Sequence, residues 1–277
     1  MLNLVDKLIL AYELLLTVHI LLFKSAISGW AEHLQLNFVI TSWIFLSALA
    51  ASRLKRQPFK FLHAFYPVFL LIWHYPQACA LQYSVIPFSL DPMLIKWDLA
   101  IFQLPLYSLL PQKLNVLGLE IFHFFYFAYY LLLGVPAWIV YKKRHPKINE
   151  YLFVIIFTTT LHQWLLIFLP ADGPIPLRAE IIPDGILMIP IMNLIYKLHP
   201  GGGAFPSLHV AGAMITCVYA NIFLPGRKWF WIIAFWLITL STIVCSFHYP
   251  IDCLVGLFTG WICYIYAPRI YDYVRKE

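Results

Sequence analysis

The chain has 277 residues, of which 62% are hydrophobic and only 12% charged, and its formal net charge is +6. Soluble domains carry about 25% charged residues, so this composition excludes a soluble globular protein, and its hydrophobicity excludes a disordered chain. Five cysteines, an odd number that lie mostly in apolar runs, also exclude a disulfide scaffold and leave an integral membrane protein.

Apolar stretches long enough to cross a bilayer as helices, about 20 residues each, recur along the chain. Eight are predicted to be transmembrane helices, at about 7–27, 36–52, 61–81, 116–141, 151–169, 207–224, 229–247 and 252–267. We therefore predict an all-α fold, a polytopic membrane helical bundle. It forms a single membrane domain, with an N-terminal transmembrane hairpin over residues 1–60 and the rest of the bundle over 61–277.

The basic residues favour one side of the membrane. With eight spans, 14 of the 19 Lys and Arg residues flank the side that carries both termini. The positive-inside rule places that side in the cytoplasm. Because the net charge follows from this bias in short membrane-flanking loops, it gives no reason to expect a nucleic-acid partner.

Two long segments, about 82–115 and 170–206, then face the periplasm, the exterior or a lumen. The first contains an amphipathic run and is predicted to lie along the membrane interface over about residues 90–110. The second is rich in proline and glycine, which is typical of a loop.

A glycine-rich segment opens the sixth predicted span. Gly201, Gly202 and Gly203 let the backbone approach a ligand closely, and Ser207 suits a helix cap. Backbone N–H groups and the positive end of the helix dipole favour a phosphate there, and His209 in the first turn can exchange a proton with it. An ordinary capped helix start with a histidine at the headgroup level explains the same residues about equally well.

A second polar segment lies between the last two spans, where His248 and Asp252 are four residues apart. On a helix they share a face, and a carboxylate that binds one imidazole nitrogen leaves the other free to attack. Pro250 indicates a turn into the last span instead. Two alternatives remain. In one, Asp252 is a polar cap that accepts hydrogen bonds from the helix N–H groups. In the other, two histidines and one aspartate bind a metal, although these are few ligands for such a site.

These two segments resemble the signature of the type 2 phosphatidic acid phosphatase superfamily, whose motifs are Lys-x6-Arg-Pro, Pro-Ser-Gly-His and Ser-Arg-x5-His-x3-Asp. The last two are matched here by 206–209 and 241–252, although Leu208 replaces the motif glycine and Thr242 the motif arginine. The first motif is absent, and its nearest counterpart is the segment 173–178, which ends in Arg178. The resemblance implies that the last five to six helices form a catalytic core.

Within the superfamily, Gly-Gly-x-Phe-Pro-Ser-x-His and the missing arginine are similar to the branch of inositol phosphorylceramide synthase and sphingomyelin synthase. A phosphodiester carries one charge less than a terminal phosphate and needs fewer cations. This likeness implies a lipid phosphotransferase with a phospholipid donor and a lipid or polyol acceptor. A lipid phosphate phosphatase is the alternative. A transporter of a phosphate-bearing solute is less favoured, because paired broken helices are not apparent. A non-catalytic scaffold is also less favoured, because His209, His248 and Asp252 are all present.

The resemblance also implies roles for the polar residues. His248 would be the nucleophile and form a phosphohistidine, Asp252 would orient it, and His209 would protonate the departing alcohol and then deprotonate the acceptor. No metal or other cofactor is expected. The predicted substrate-binding residues are Arg178, Gly202, Gly203 and Ser207.

Further titratable residues occur in or beside the predicted spans. His162 is expected to pack between helices. Glu120 and His123 share a helix face and either line a headgroup pocket or form a structural pair. Glu13 has no assigned role. The external residues Asp172 and Asp184 could bind a polyol acceptor, but we expect them to be solvated.

Overall fold

The computed structural model describes residues 2–54, 56–142, 145–197 and 201–276. Three basic residues that contribute to the predicted charge bias, Lys55, Lys143 and Arg144, lie outside the described residues. The helices are α1 (Leu4–Leu22), α2 (Trp30–Leu54), α3 (Gln57–Leu81), α4 (Asp91–Phe102), α5 (Leu106–Gln112), α6 (Val116–Lys142), α7 (Ile148–Phe168), α8 (Arg178–Ile181, after a 3-10 turn at Ile175–Leu177), α9 (Met188–Lys197), α10 (Leu208–Phe223), α11 (Lys228–Val244) and α12 (Pro250–Lys276).

Every predicted span falls on a helix, and the described ranges contain no strand, which confirms the all-α membrane bundle. Four helices within the described residues are long and apolar enough to cross a membrane by themselves: α2, α6 over Val116–Gly134, α7 and α12. The bent pair α4 and α5 would make a fifth span. Helices α10 and α11 have only 16 and 17 residues, short of the usual 20, so the total of eight spans stays a prediction.

The outer surface of the bundle carries large apolar side chains. Phe38, Trp229 and Leu22 are each more than 70% exposed. A water-soluble surface rarely presents such side chains contiguously, whereas lipid tails contact them favourably. The surface therefore agrees with the composition, and the protein is an integral membrane protein.

Helix α10 lies at the centre of the bundle, packed against α6, α7, α11 and α12. Its approach to α12 is close because glycines of α12 face it. A Cβ added to Gly256 would lie 2.4 Å from the backbone oxygen of Ser207, and one added to Gly260 would lie 2.9 Å from Cα of Ala211. Small residues at a crossing allow helix backbones to touch in this way.

The N-terminal helix α2 packs against α1 and α3, and α1 and α3 pack against α7, with polar pairs buried between α1 and α3. The Glu13 carboxyl of α1 and the His74 ring of α3 are hydrogen-bonded at 2.6 Å, and both side chains are 2% exposed. Tyr66 of α3 donates to Asp6 of α1 at 2.6 Å. Glu13 therefore has a partner on another helix, as polar groups inside a bilayer require.

The segment predicted to be interfacial forms α4 and α5, which meet at a bend of 67°. Helix α4 also contacts the start of α12, since Asp98 accepts a hydrogen bond from the N–H of Ile251 at 2.9 Å. Beyond α5, the loops before α10 and α12 lie at this same end of the bundle, and they carry the polar segments singled out in the sequence.

Candidate active site

The first polar segment leads directly into α10. Ser207 is the N-cap residue, and its hydroxyl accepts from the N–H of Val210 at 3.4 Å. Because the helix begins at Leu208, His209 lies in its first turn, with a side chain that is 5% exposed. The positive end of the α10 dipole therefore lies beside this imidazole.

The second polar segment is a tight turn between α11 and α12. Helix α11 ends at Val244, and α12 begins at Pro250, a residue that suits the first helical position. The N–H groups of Phe247 and His248 both donate to the carbonyl oxygen of Thr242, at 3.0 and 3.1 Å. These bonds fix the backbone that carries His248.

Asp252 caps this turn and also lies beside the histidine. One of its oxygens accepts from the N–H of Tyr249 at 2.8 Å and is 3.5 Å from Nδ1 of His248. Nδ1 of His248 is also 2.9 Å from the carbonyl oxygen of Ala204. Because a carbonyl oxygen can only accept, Nδ1 carries the proton and Nε2 of the neutral ring has the lone pair.

The two segments meet. The ring centroids of His209 and His248 are 5.8 Å apart, and the N–H of Ser207 donates to the carbonyl oxygen of Asp252 at 3.1 Å. The structure thus brings both imidazoles and the Asp252 carboxyl together where the N-termini of α10 and α12 lie side by side. Two helix dipoles at one place favour a bound anion.

Aromatic residues of α6 enclose His209, and none of them was predicted from the sequence. Tyr126 stacks on the imidazole with centroids 4.4 Å apart, and Tyr129 lies at 4.5 Å. The Tyr126 hydroxyl is 3.5 Å from Nδ1 of His209 and is hydrogen-bonded to the hydroxyl of Tyr196. The three-residue spacing of the two tyrosines shows only that they share a helix face, not which histidine they contact.

The glycine segment is held by α3. Gly202 and Gly203 have φ values of +72° and +76°, which side chains rarely allow. The N–H of Gly203 donates to the side-chain oxygen of Gln82 at 3.1 Å, and its carbonyl oxygen accepts from the Tyr75 hydroxyl at 3.0 Å. The N–H of Gly203 is therefore directed at α3, not at an open anion site as the sequence suggested.

Arg178 is buried against the turn that carries His248. Its Nε donates to the carbonyl oxygen of Cys245 at 2.9 Å, and its guanidinium lies 4.5 Å over the ring of Phe247. The other two nitrogens donate to Asn193 and, at 2.6 Å, to Nε2 of His123. Burial lowers the pKa of this guanidinium from its usual value.

Arg178 thus donates to three protein groups. His123 has a structural role as its partner and forms no hydrogen-bonded pair with Glu120 among the described contacts. A cavity of about 220 Å³ adjoins this arginine. It is lined by Ile175, Arg178, Ala179, Ile182, Asn193 and Tyr196.

Other polar residues that the sequence singled out have structural partners. Glu120 accepts from the N–H groups at the start of α9, including that of Leu187 at 3.1 Å. His162 bonds the carbonyl oxygen of Thr158 and the hydroxyl of Thr259, at 2.8 and 2.9 Å, which agrees with the predicted packing role.

The two external aspartates differ. Asp184 is exposed, as expected. The expectation of a solvated Asp172 was wrong, since its carboxylate accepts from Tyr83 at 2.8 Å and from Gln82 at 3.3 Å. Among the residues that the structure describes, no group of three or more His, Cys, Asp or Glu side chains could hold a metal ion.

A family model described as the PAP2 superfamily matches residues 112–266, more than half of the chain. The chain belongs to the PAP2 superfamily. The matched segment contains α6 to α11 and most of α12, so it includes the two imidazoles and the carboxyl described above. This PAP2 protein is accordingly a lipid phosphatase or phosphotransferase.

Among solved structures, the crystal structure of Aquifex aeolicus LpxE is similar to this PAP2 protein, with 24% sequence identity and a TM-score of 0.44. The similarity covers 59% of this chain and 93% of that one. No match was found among curated proteins.

Proposed function

We propose that this PAP2 enzyme is a lipid phosphotransferase of the branch that resembles inositol phosphorylceramide synthase and sphingomyelin synthase. It moves a phosphorylated headgroup from a phospholipid donor to the hydroxyl of a lipid or polyol acceptor. The observation that carries the phosphohistidine chemistry of this proposal is the orientation of His248. Its Nδ1–H is held by Ala204 and Asp252, so Nε2 is the nucleophilic nitrogen, and the His209 ring lies 5.8 Å away.

In the first step, Nε2 of His248 attacks the phosphorus of the donor and forms a P–N bond. The P–O bond to the lipid alcohol breaks, and His209 gives its proton to the departing oxygen. Asp252 stabilises the positive charge that develops on the His248 ring, and the N-termini of α10 and α12 stabilise charge on the phosphoryl oxygens.

In the second step, the acceptor hydroxyl attacks the phosphohistidine. His209, now neutral, takes the hydroxyl proton, the P–N bond breaks and both histidines return to their starting states. Water in place of the acceptor would make the same site a hydrolase, and on a donor with a terminal phosphate that hydrolase would be a phosphatase. The chemistry is therefore shared, and the acceptor decides between the two activities.

A scarcity of cations supports transfer of a phosphodiester headgroup. At the position of the motif arginine, the Thr242 hydroxyl donates to the carbonyl oxygen of Thr239 at 2.7 Å and contacts Cys253. Arg178 is engaged with protein groups. A dianionic terminal phosphate is usually bound by bidentate arginines, whereas a phosphodiester carries one charge less.

We further propose that both termini face the cytoplasm and that the site opens to the periplasm, the exterior or a lumen. The predicted excess of basic residues on the side of the termini supports this orientation. The donor then lies in the outer leaflet, and no nucleic acid or cofactor takes part.

The test uses purified protein with a phospholipid labelled in its headgroup phosphate and a mixture of lipid and polyol alcohols. We expect a new labelled phospholipid or phosphorylated polyol by mass spectrometry, and a base-stable, acid-labile label on the protein. His248→Ala should lose both, while His33→Ala, a partly exposed histidine of α2, should keep both. A free phosphorylated headgroup or free phosphate as the sole product would contradict the transferase, and normal turnover of His248→Ala would remove the nucleophile assignment.

A further inference from the structure

The C-terminal part of α3 and its capping residue Gln82 present three side chains to the glycine segment. Tyr75, Cys79 and Gln82 are four and three residues apart, so they lie on one helix face. This face belongs to the N-terminal part of the chain, which precedes the segment 112–266 that matches the PAP2 family. A helix outside the family segment thus contacts the backbone inside it.

The contact is a clamp on the backbone of one residue, Gly203. Gln82 accepts from the N–H of Gly203 at 3.1 Å, and Tyr75 donates to its carbonyl oxygen at 3.0 Å. The packing is close, because a Cβ added to Gly202 would lie 1.6 Å from the Gln82 amide nitrogen, and one added to Gly203 2.4 Å from the Cys79 sulfur. Both polar groups of Gly203 are therefore satisfied by α3.

A second tether fixes the clamp itself. The Gln82 amide nitrogen donates to Asp172 at 3.3 Å, and Asp172 also accepts from the Tyr83 hydroxyl at 2.8 Å. The amide thus has one defined orientation, with its oxygen toward Gly203 and its nitrogen toward the carboxylate.

The next residue connects this clamp to the reacting group. Ala204 follows Gly203 directly, its N–H donates to the carbonyl oxygen of Ala171 at 3.0 Å, and its own carbonyl oxygen holds Nδ1 of His248 at 2.9 Å. A rotation of the backbone at Gly203 would turn the Ala204 carbonyl away from the histidine. Glycine permits such rotations, so the loop needs an external restraint.

We propose that Gln82 and Tyr75 are positioning residues of the active site. They hold the backbone of Gly203 and Ala204 so that Nδ1–H of His248 stays bonded and Nε2 faces the phosphorus. This inference rests on the proposed role of His248 as the nucleophile. Helix α3 in that case positions the active site and is more than a membrane anchor.

The experiment uses substitutions that keep side-chain volume and remove only the hydrogen bonds, Gln82→Met and Tyr75→Phe. The matched control is Gln77→Met, because Gln77 lies on the same helix, is 3% exposed and donates to Asn37 at 2.7 Å, away from the glycine segment. Rapid base quench of the labelled full-length protein measures the rate of phosphohistidine formation, and steady-state assays separate kcat from KM.

We expect Gln82→Met and Tyr75→Phe to form the phosphohistidine about five- to tenfold more slowly, with a similar fall in kcat and little change in KM. Gln77→Met should lower the thermal stability to a similar extent but keep the wild-type rate. The proposal is overturned if Gln82→Met matches the wild-type rate, or if Gln77→Met slows the reaction equally. Activity of His248→Ala would instead remove the proposed function, so the two failures are distinguishable.

Discussion

Arg178 is a buried cation of this site that is held by neutral groups. No carboxylate of the described ranges lies within ion-pair distance of its guanidinium. Neutral acceptors hold it instead, namely the Cys245 carbonyl oxygen, Asn193 and Nε2 of His123. His123 can accept because its Nδ1–H donates to the carbonyl oxygen of Leu119 at 2.7 Å. A buried cation therefore braces the turn that carries His248.

This arrangement predicts that Arg178→Lys is damaging. A lysine is a point charge on a flexible stem and cannot reach three acceptors in different directions. We expect kcat to fall about tenfold and the free energy of unfolding by about 1–3 kcal/mol. Kinetics and chemical unfolding in detergent would measure both. The exposed Arg227→Lys is the control, and equal kinetics of the two variants would contradict the bracing role.

The separation between residues in the chain decides what the sequence alone could predict at this scale. His248 and Asp252 are four residues apart, so a local pattern was enough to place them beside each other. Arg178 and His123 are 55 residues apart, and Gly203 and Gln82 are 121 apart. Contacts of that range depend on how helices pack, which hydrophobic periodicity does not encode.

Among the elements, the pair α10 and α12 does most to build the site. Their N-termini are joined by the hydrogen bond from Ser207 to the backbone of Asp252 at 3.1 Å, and the adjacent crossing leaves no room for a side chain at Gly256. The sequence predicted both helix starts from their turn residues. It could not predict the crossing, because a glycine in an apolar helix has several uses.

The crossing can be tested with Gly256→Ala. The added Cβ would lie 2.4 Å from the carbonyl oxygen of Ser207, a backbone atom that cannot move without displacing the start of α10. We expect overpacking to cost about 1–3 kcal/mol of stability and to lower kcat, since His209 lies in the displaced turn.

Gly134→Ala in α6 is the matched control for this substitution. Its added Cβ has no atom within 4 Å among the described residues, so we expect full activity and a gain in stability of up to about 1 kcal/mol. Thermal unfolding in detergent and initial rates of transfer would measure both variants. If Gly256→Ala behaves like Gly134→Ala, the close approach does not position the site.

At the scale of the whole molecule, the polar site and the N-terminus lie at opposite ends of the bundle. The imidazoles and the long loops lie at one end, and the starts of α1 and α7 lie at the other, where Tyr271 near the end of α12 packs against Phe153. Composition and span lengths were enough to predict a helical membrane bundle, because any helix that crosses the bilayer needs about 20 mostly apolar residues whatever it packs against. They do not determine how many of the short helices cross it, since packing against neighbours can support a helix shorter than the bilayer.

The proposed orientation is testable because all five cysteines, Cys79, Cys217, Cys245, Cys253 and Cys263, are buried. A single exposed cysteine should then be the main target of a membrane-impermeant thiol reagent added to intact cells. Asp184→Cys lies at the end of the site and Lys228→Cys at the opposite end, and both positions are exposed. If the end that carries Lys228 faces the cytoplasm and the site faces the periplasm or the exterior, Asp184→Cys is labelled in intact cells and Lys228→Cys only after permeabilisation. For a site that faces a lumen, Asp184→Cys is labelled only after the internal membranes are opened. The reverse pattern would place the histidines in the cytoplasm and the donor lipid in the inner leaflet. Labelling of both in intact cells would mean that α10 does not cross the whole membrane, since α9 has only ten residues.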